Sequence, residues 1–275
     1  MAQGRCWLLA LSLGISLYGA SPIRDEALRH QILAAVFPNM EVADTGKVQP
    51  AKNDARFSPD SMAGARIYRI IGPAVGKWEE CASEDVASRV KSDIRELSFV
   101  AYRWPRRPDL LAVLQYKFVG VGPAGACWSI GRLVHLVGGG KRWQISEDFD
   151  LDTQHHGGLE RVELADLDGE GKDELLVESD WGGAAVGGSS LHVYSLKNGR
   201  FEQWLETTAQ VQGMYGALTQ VLDLGATRAK RAMSICFVRT DLAGPDFQVY
   251  RTPRVSRPCY ARGTERTFGD LLRNQ

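Results

Sequence analysis

The chain has 275 residues, 44% of them hydrophobic, enough to bury a substantial core in one large domain or two small ones. Its 33 basic and 33 acidic residues cancel, so bulk charge points to neither a nucleic-acid partner nor an anionic membrane surface. The 29 glycines, with little helical patterning, favour a turn-rich β protein.

Residues 1–20 read as a secretory signal peptide. Arg5 gives a positive start, residues 6–20 are uncharged and apolar, and small residues follow near Gly19 and Ser21. The apolar run is short for a membrane span. Cys6 opens that run, a position unlike a lipoprotein cleavage site. The expected location is secreted or periplasmic, with no membrane attachment after signal removal. Residues 21–96 form a mixed α/β segment. A helix is predicted over 25–37, where Ala27, Leu28, Ile32, Leu33, Val36 and Phe37 share one face and Pro38 ends the run. Residues 39–63 are polar and read as a linker, and 65–71 as a strand. A second helix is predicted over 83–97, with Val86, Val90, Ile94 and Leu97 at helical spacing behind an acidic first turn.

Residues 97–260 read as strands separated by turn signals, and 261–275 as a C-terminal tail. Arg103, Arg106 and Arg107 surround Trp104, and Pro105 and Pro108 mark a turn, so this spot reads as a solvated hairpin tip. His155 and His156 are the tempting catalytic or transition-metal pair. Neighbouring side chains on an extended chain point to opposite sides, however, and the pair more naturally decorates a loop. No Gly-x-Ser-x-Gly or His-Glu-x-x-His pattern is present.

Residues 166–174 read Asp-Leu-Asp-Gly-Glu-Gly-Lys-Asp-Glu. Carboxylates at alternating positions of a glycine-bracketed loop can turn their oxygens to one centre, and clustered oxygens suit calcium. An EF-hand is excluded, because its twelfth position is the apolar Val177 and the flanks are strand-like. Asp166 and Asp168 as an acid/base pair would need one carboxyl held apart with a raised pKa.

The stretch 164–194 resembles the FG-GAP/VCBS repeat, the unit of integrin-type β-propellers. The matching pieces are the strand end at Ala165, the acidic loop, the apolar run Leu175-Leu176-Val177, a glycine-rich link from Trp181 to Gly188, and the strand Leu191-His192-Val193-Tyr194. The resemblance implies calcium bound by the side chains of Asp166, Asp168, Glu170 and Glu174, with the Lys172 carbonyl contributing. Glu170 and Glu174 stand where the family usually has aspartate. A weak internal repeat of about sixty residues runs through 108–143, 160–206 and 221–250, and only the middle copy keeps the acidic loop. The expected fold is therefore mainly β: an incomplete or small propeller of blade-like repeats with a small helical N-terminal segment.

With Cys6 removed, Cys81, Cys127, Cys236 and Cys259 remain. In an oxidising compartment they suggest two disulfides; of the three possible pairings, Cys81–Cys127 and Cys236–Cys259 join near neighbours. The leading expectation is an exported, calcium-stabilised, non-enzymatic module binding a protein or glycan. The alternatives are an exported hydrolase using His155 and His156, and an assembly protein pairing through open strand edges.

Overall fold

The computed structural model describes residues 22–47, 66–71, 95–104, 107–117, 129–139, 142–151, 159–182, 186–213, 216–231, 233–243 and 249–266. The signal-peptide reading, His155, His156, Cys81, Cys127 and most of the helix predicted over 83–97 lie outside these residues. The last three positions of that predicted helix fall in a strand, Arg95–Arg103.

The architecture is mainly β, built from two antiparallel sheets. The first is an up-and-down meander of six strands in chain order: β1 (Glu41–Lys47), β2 (Arg66–Ile71), β3 (Arg95–Arg103), β4 (Leu110–Lys117), β5 (Ser129–Gly139) and β6 (Arg142–Leu151). Its central strands read as near-continuous apolar runs, Ser98-Phe99-Val100-Ala101-Tyr102 and Leu110-Leu111-Ala112-Val113-Leu114, because both faces are covered. Alternation sends Tyr68, Leu97, Phe99, Ala112 and Val134 to one side. There they meet Ile32, Leu33, Val36 and Phe37 of helix α1 (Glu26–Val36) and its end. Asp25 caps that helix by accepting from the Leu28 N–H at 3.2 Å. Buried Arg29 donates from Nε to the Ile23 carbonyl at 2.7 Å, and the Ile23 N–H reaches the Ala101 carbonyl at 2.8 Å. These bonds pin the lead-in of the chain to the middle of the first sheet.

The opposite side, Val100, Tyr102, Trp104, Leu111, Val113 and Leu133, packs against the second sheet. Trp104 is 2% exposed, so the predicted solvated hairpin tip holds a core tryptophan instead. Its ring meets His135 at 5.8 Å and Phe201 at 6.2 Å. The arginines flanking it supply the polarity that suggested a surface spot, while the indole itself joins the two layers.

The second sheet contains β7 (Leu159–Ala165), β8 (Glu174–Gly182), β9 (Val186–Lys197), β10 (Arg200–Gly213), β11 (Gly216–Leu222), β12 (Ser234–Ala243) and β13 (Val249–Ser256), each paired with the next. It also takes in two three-residue strands. β14 (Cys259–Ala261) pairs with β12, and β15 (Thr264–Arg266) runs parallel to β10. The sheet curls into a half-barrel around a core of Leu176, Val193, Trp204, Leu205, Ile235, Phe237 and Tyr260. Strands from the second and third sequence repeats thus belong to one continuous sheet, and a closed propeller is not seen among the described residues.

The β9–β10 hairpin turns through Asn198 (φ 53°) and Gly199 (φ 80°), both in the left-handed region that a type I′ turn needs. Its tip rests on β6. Ser146 Oγ donates to the Gly199 carbonyl at 3.3 Å, and the Phe201 N–H donates to the Glu147 carboxylate. A Cβ at Gly188 would stand 2.0 Å from the Gln210 carbonyl oxygen and 2.9 Å from the Trp181 ring, which only glycine avoids. Trp181 itself packs on Val211 and Leu218. The Cys236–Cys259 disulfide expected from the sequence joins β12 to β14 at directly opposed positions.

A candidate cation site at the acidic hairpin

The loop joins the end of β7 to the start of β8, where Ala165 pairs with Glu174 and sets the spacing of the two walls. Leu167 is fully buried in the half-barrel core, so it nails the loop down while the tip from Gly169 to Lys172 stays exposed. Gly169 (φ 77°) and Gly171 (φ 80°) take the left-handed conformation that lets the chain fold back on itself. The turn is closed by three backbone N–H groups. Gly169 donates to Asp166 Oδ1 at 2.7 Å, Gly171 to Asp166 Oδ2 at 3.0 Å, and Glu170 to Asp168 Oδ1 at 2.9 Å.

Three of the four carboxylates expected as ligands converge. One carboxylate oxygen each from Asp166, Asp168 and Glu174 lie within 4.8 Å of one another. Glu170 is not in this group: its side chain is 65% exposed, 4.0 Å from Lys172 Nζ. The Lys172 side chain is exposed as well, its ammonium facing Glu170; the ligand expected of this residue is its backbone carbonyl.

Glu174 is the unusual member. It is 3% exposed, and its Oε2 accepts the Leu167 N–H at 2.8 Å. Burial pushes its pKa up to about 8, and the Asp168 and Asp166 carboxylates push the same way; the Leu167 bond and Arg262 only partly oppose them. A buried carboxyl crowded by two carboxylates keeps a proton unless a cation replaces it. The raised pKa that an acid/base pair would require therefore belongs to Glu174, a residue that reading did not include.

Two arginines from far along the chain complete the site, and sequence reading missed both. Arg228, on the short helix α2 (Leu224–Ala229), donates from Nε and Nη2 to the Asp166 carbonyl at 3.1 and 2.8 Å. Arg262, in the turn between β14 and β15, places Nη2 3.6 Å from Asp168 Oδ2 and its guanidinium carbon 3.4 Å from the centroid of Trp204. The Gly263 N–H next to it bonds the Trp204 carbonyl at 2.7 Å. Beside the loop opens a cleft of about 520 Å³, with Asp168, Glu170 and Glu174 among its acidic lining and Gln203, Trp204 and Arg262 among the rest. Nothing local to residues 166–174 signals these partners, because the fold supplies them.

A second polar group lies on the face of β8, β9 and β10. Ser179 Oγ is 3.2 Å from His192 Nε2, and His192 Nδ1 is 3.7 Å from Glu206 Oε2. The order imitates a nucleophile, base and acid. Ser179, however, is 4% exposed in the middle of a paired strand, so a substrate carbonyl has no approach to its Oγ. Burial lowers the His192 pKa, outweighing the pull of Glu206, and holds the ring neutral as one rung of a cross-strand polar ladder.

No helix among the described residues is long and apolar enough to cross a membrane. Compared with known protein families, curated proteins and solved structures, the chain matches none.

Proposed function

We propose that this is an exported, non-enzymatic β protein in which the acidic hairpin binds one calcium ion as a structural tie, and that the protein serves as a binding module for a protein or glycan. The observation that carries the reading is the convergence of Asp166, Asp168 and Glu174 within 4.8 Å. These residues come from the end of one strand, the loop and the start of the next. An ion at their centre would hold β7 to β8 at its open end and offset the crowding of three carboxylates. Calcium suits the site better than magnesium because an irregular loop set does not meet octahedral demands. On binding, Glu170 and the Lys172 carbonyl would swing in to complete the oxygen shell. The exposed Glu170 side chain has room to do so.

The proposal includes the fold relationship: residues 160–206 form a unit akin to the FG-GAP/VCBS repeat, set in a propeller-like array. Export is supported by the Cys236–Cys259 disulfide, which fits an oxidising compartment. The test is thermal unfolding of wild type and Asp168→Ala, each in calcium and in chelator. Calcium should raise the wild-type Tm by several degrees and leave the variant unmoved. Equal melting in all four samples would sink the reading.

A further inference from the structure

We propose that the Cys236–Cys259 disulfide is a thiol–disulfide exchange site for a dithiol, and that its reduction loosens the β14–β15 segment at the mouth of the cleft. The two cysteines differ sharply in access. Cys236 is 1% exposed within β12, with its N–H held by Thr227 Oγ1 at 2.9 Å. Cys259 is exposed on the three-residue strand β14. An incoming thiolate therefore meets the Cys259 sulfur first.

The short segment that carries Cys259 is held by the disulfide together with a few contacts: Tyr260 packs in the half-barrel core, its ring 5.6 Å from Phe237, and Arg262 lies over Trp204. β14 pairs with β12 over three positions, and β15 with β10 over three. Single bonds add to this: Phe237 N–H to the Pro258 carbonyl at 2.9 Å, Gly263 N–H to the Trp204 carbonyl at 2.7 Å, and Tyr260 OH to Gln220 Oε1 at 3.0 Å. The disulfide closes a loop with a sequence separation of 23, so it restrains this segment and lies outside the six-stranded sheet. Arg262 rides on the turn between β14 and β15. When this segment loosens, the guanidinium leaves the Trp204 ring and Asp168 together, and the cleft widens.

The exchange balances. A dithiol thiolate attacks Sγ of Cys259, forming a mixed disulfide and breaking the Cys236–Cys259 bond, and Cys236 departs as a thiolate that takes up a proton. The second thiol of the reductant attacks the mixed disulfide, releases Cys259 as a thiol and closes the reductant's own disulfide. Two electrons pass from the dithiol to the cysteine pair.

The test uses intact oxidised protein in native buffer with a chelator throughout, so its outcome is independent of the cation reading. Dithiothreitol is added, free thiols are alkylated and mapped by peptide mass, and hydrogen exchange is followed by segment. Cys259 should be alkylated before Cys236. Amides of 259–266 should exchange about tenfold faster than in the oxidised protein, while those of β3 to β5 keep their protection. Cys259→Ser should reproduce the loosened segment without reductant. Reduction only in denaturant, unchanged protection of 259–266 in either sample, or loss of protection across both sheets would overturn the proposal.

Discussion

Arg262 sits over the ring of Trp204, its guanidinium carbon 3.4 Å from the centroid, and from there Nη2 faces Asp168 at 3.6 Å. The indole thus holds a fixed positive charge against the acidic loop. That charge stabilises the loop without metal and opposes a cation that arrives. Arg262→Gln should therefore separate the two effects. In chelator the variant should lose about 1 kcal/mol by denaturant unfolding, and its calcium affinity by titration calorimetry should tighten about three- to tenfold. Weaker calcium binding in the variant would show that Arg262 builds the site instead of competing with it.

Glu174 offers a cleaner separation. Its carboxyl is buried and holds a proton, so the amide of Glu174→Gln replaces a neutral group of similar shape and can still accept from Leu167. In chelator near pH 7 the variant should stay within about 1 kcal/mol of wild type, yet calcium should no longer raise its Tm. A variant that still gains from calcium would remove Glu174 from the ligand set.

The same carboxyl sets a pH dependence. Its pKa is about 8 when folded, against an ordinary value of 4.5, so between these values the folded chain holds a proton the unfolded chain lacks. That contribution is complete below pH 4.5 and disappears as pH rises to about 8. In chelator, this group should make unfolding free energy fall with pH across the window, and Glu174→Gln should remove the slope. Saturating calcium should reverse it, because the ion binds the deprotonated form. Urea melts at pH 5, 6.5 and 8 read the sign directly.

His192 acts in the opposite direction. Burial holds its pKa below the ordinary 6.5, so the unfolded chain binds the proton first as pH falls. Its contribution is complete above pH 6.5 and is lost on acidification below that value. His192→Gln should flatten the acid side of the stability profile while leaving the Glu174 slope in place. An unchanged acid limb would show that the ring is charged in the folded protein.

Glycines test the close approaches in the second sheet. Gly188→Ala puts a methyl 2.0 Å from a backbone oxygen and should cost about 3 kcal/mol or more, seen as a large fall in Tm. Gly139→Ala, with nothing within 4 Å, should change stability by less than about 1 kcal/mol and serves as the control.

Local chemistry was legible in the sequence and distant geometry was not. The Asp166 to Glu174 pattern, the Asn198-Gly199 turn and the apolar strands β4 and β8 each carry their own signal within a few residues. Arg228 and Arg262 gave none, since only the curl of the second sheet brings α2 and the β14–β15 turn back to the loop. Glu170 fits the ligand pattern by spacing, yet solvent and Lys172 draw its side chain outward. The repeat near sixty residues is visible in composition, but period alone does not decide whether successive units separate into blades. Here β10, β11 and β12 pair without a break, and one sheet results. Trp104 was misplaced because its arginine and proline neighbours look like surface, while inter-sheet packing claims the indole.

The first sheet is greasy on both sides, with α1 covering one and the β7–β9 strands the other. It works like the filling between two slices, and neither slice can be lifted off without leaving bare oil against water. A protease nick between Leu151 and Leu159 should therefore yield two fragments that travel together through a sizing column. The two halves of this chain are bound to share one lifetime.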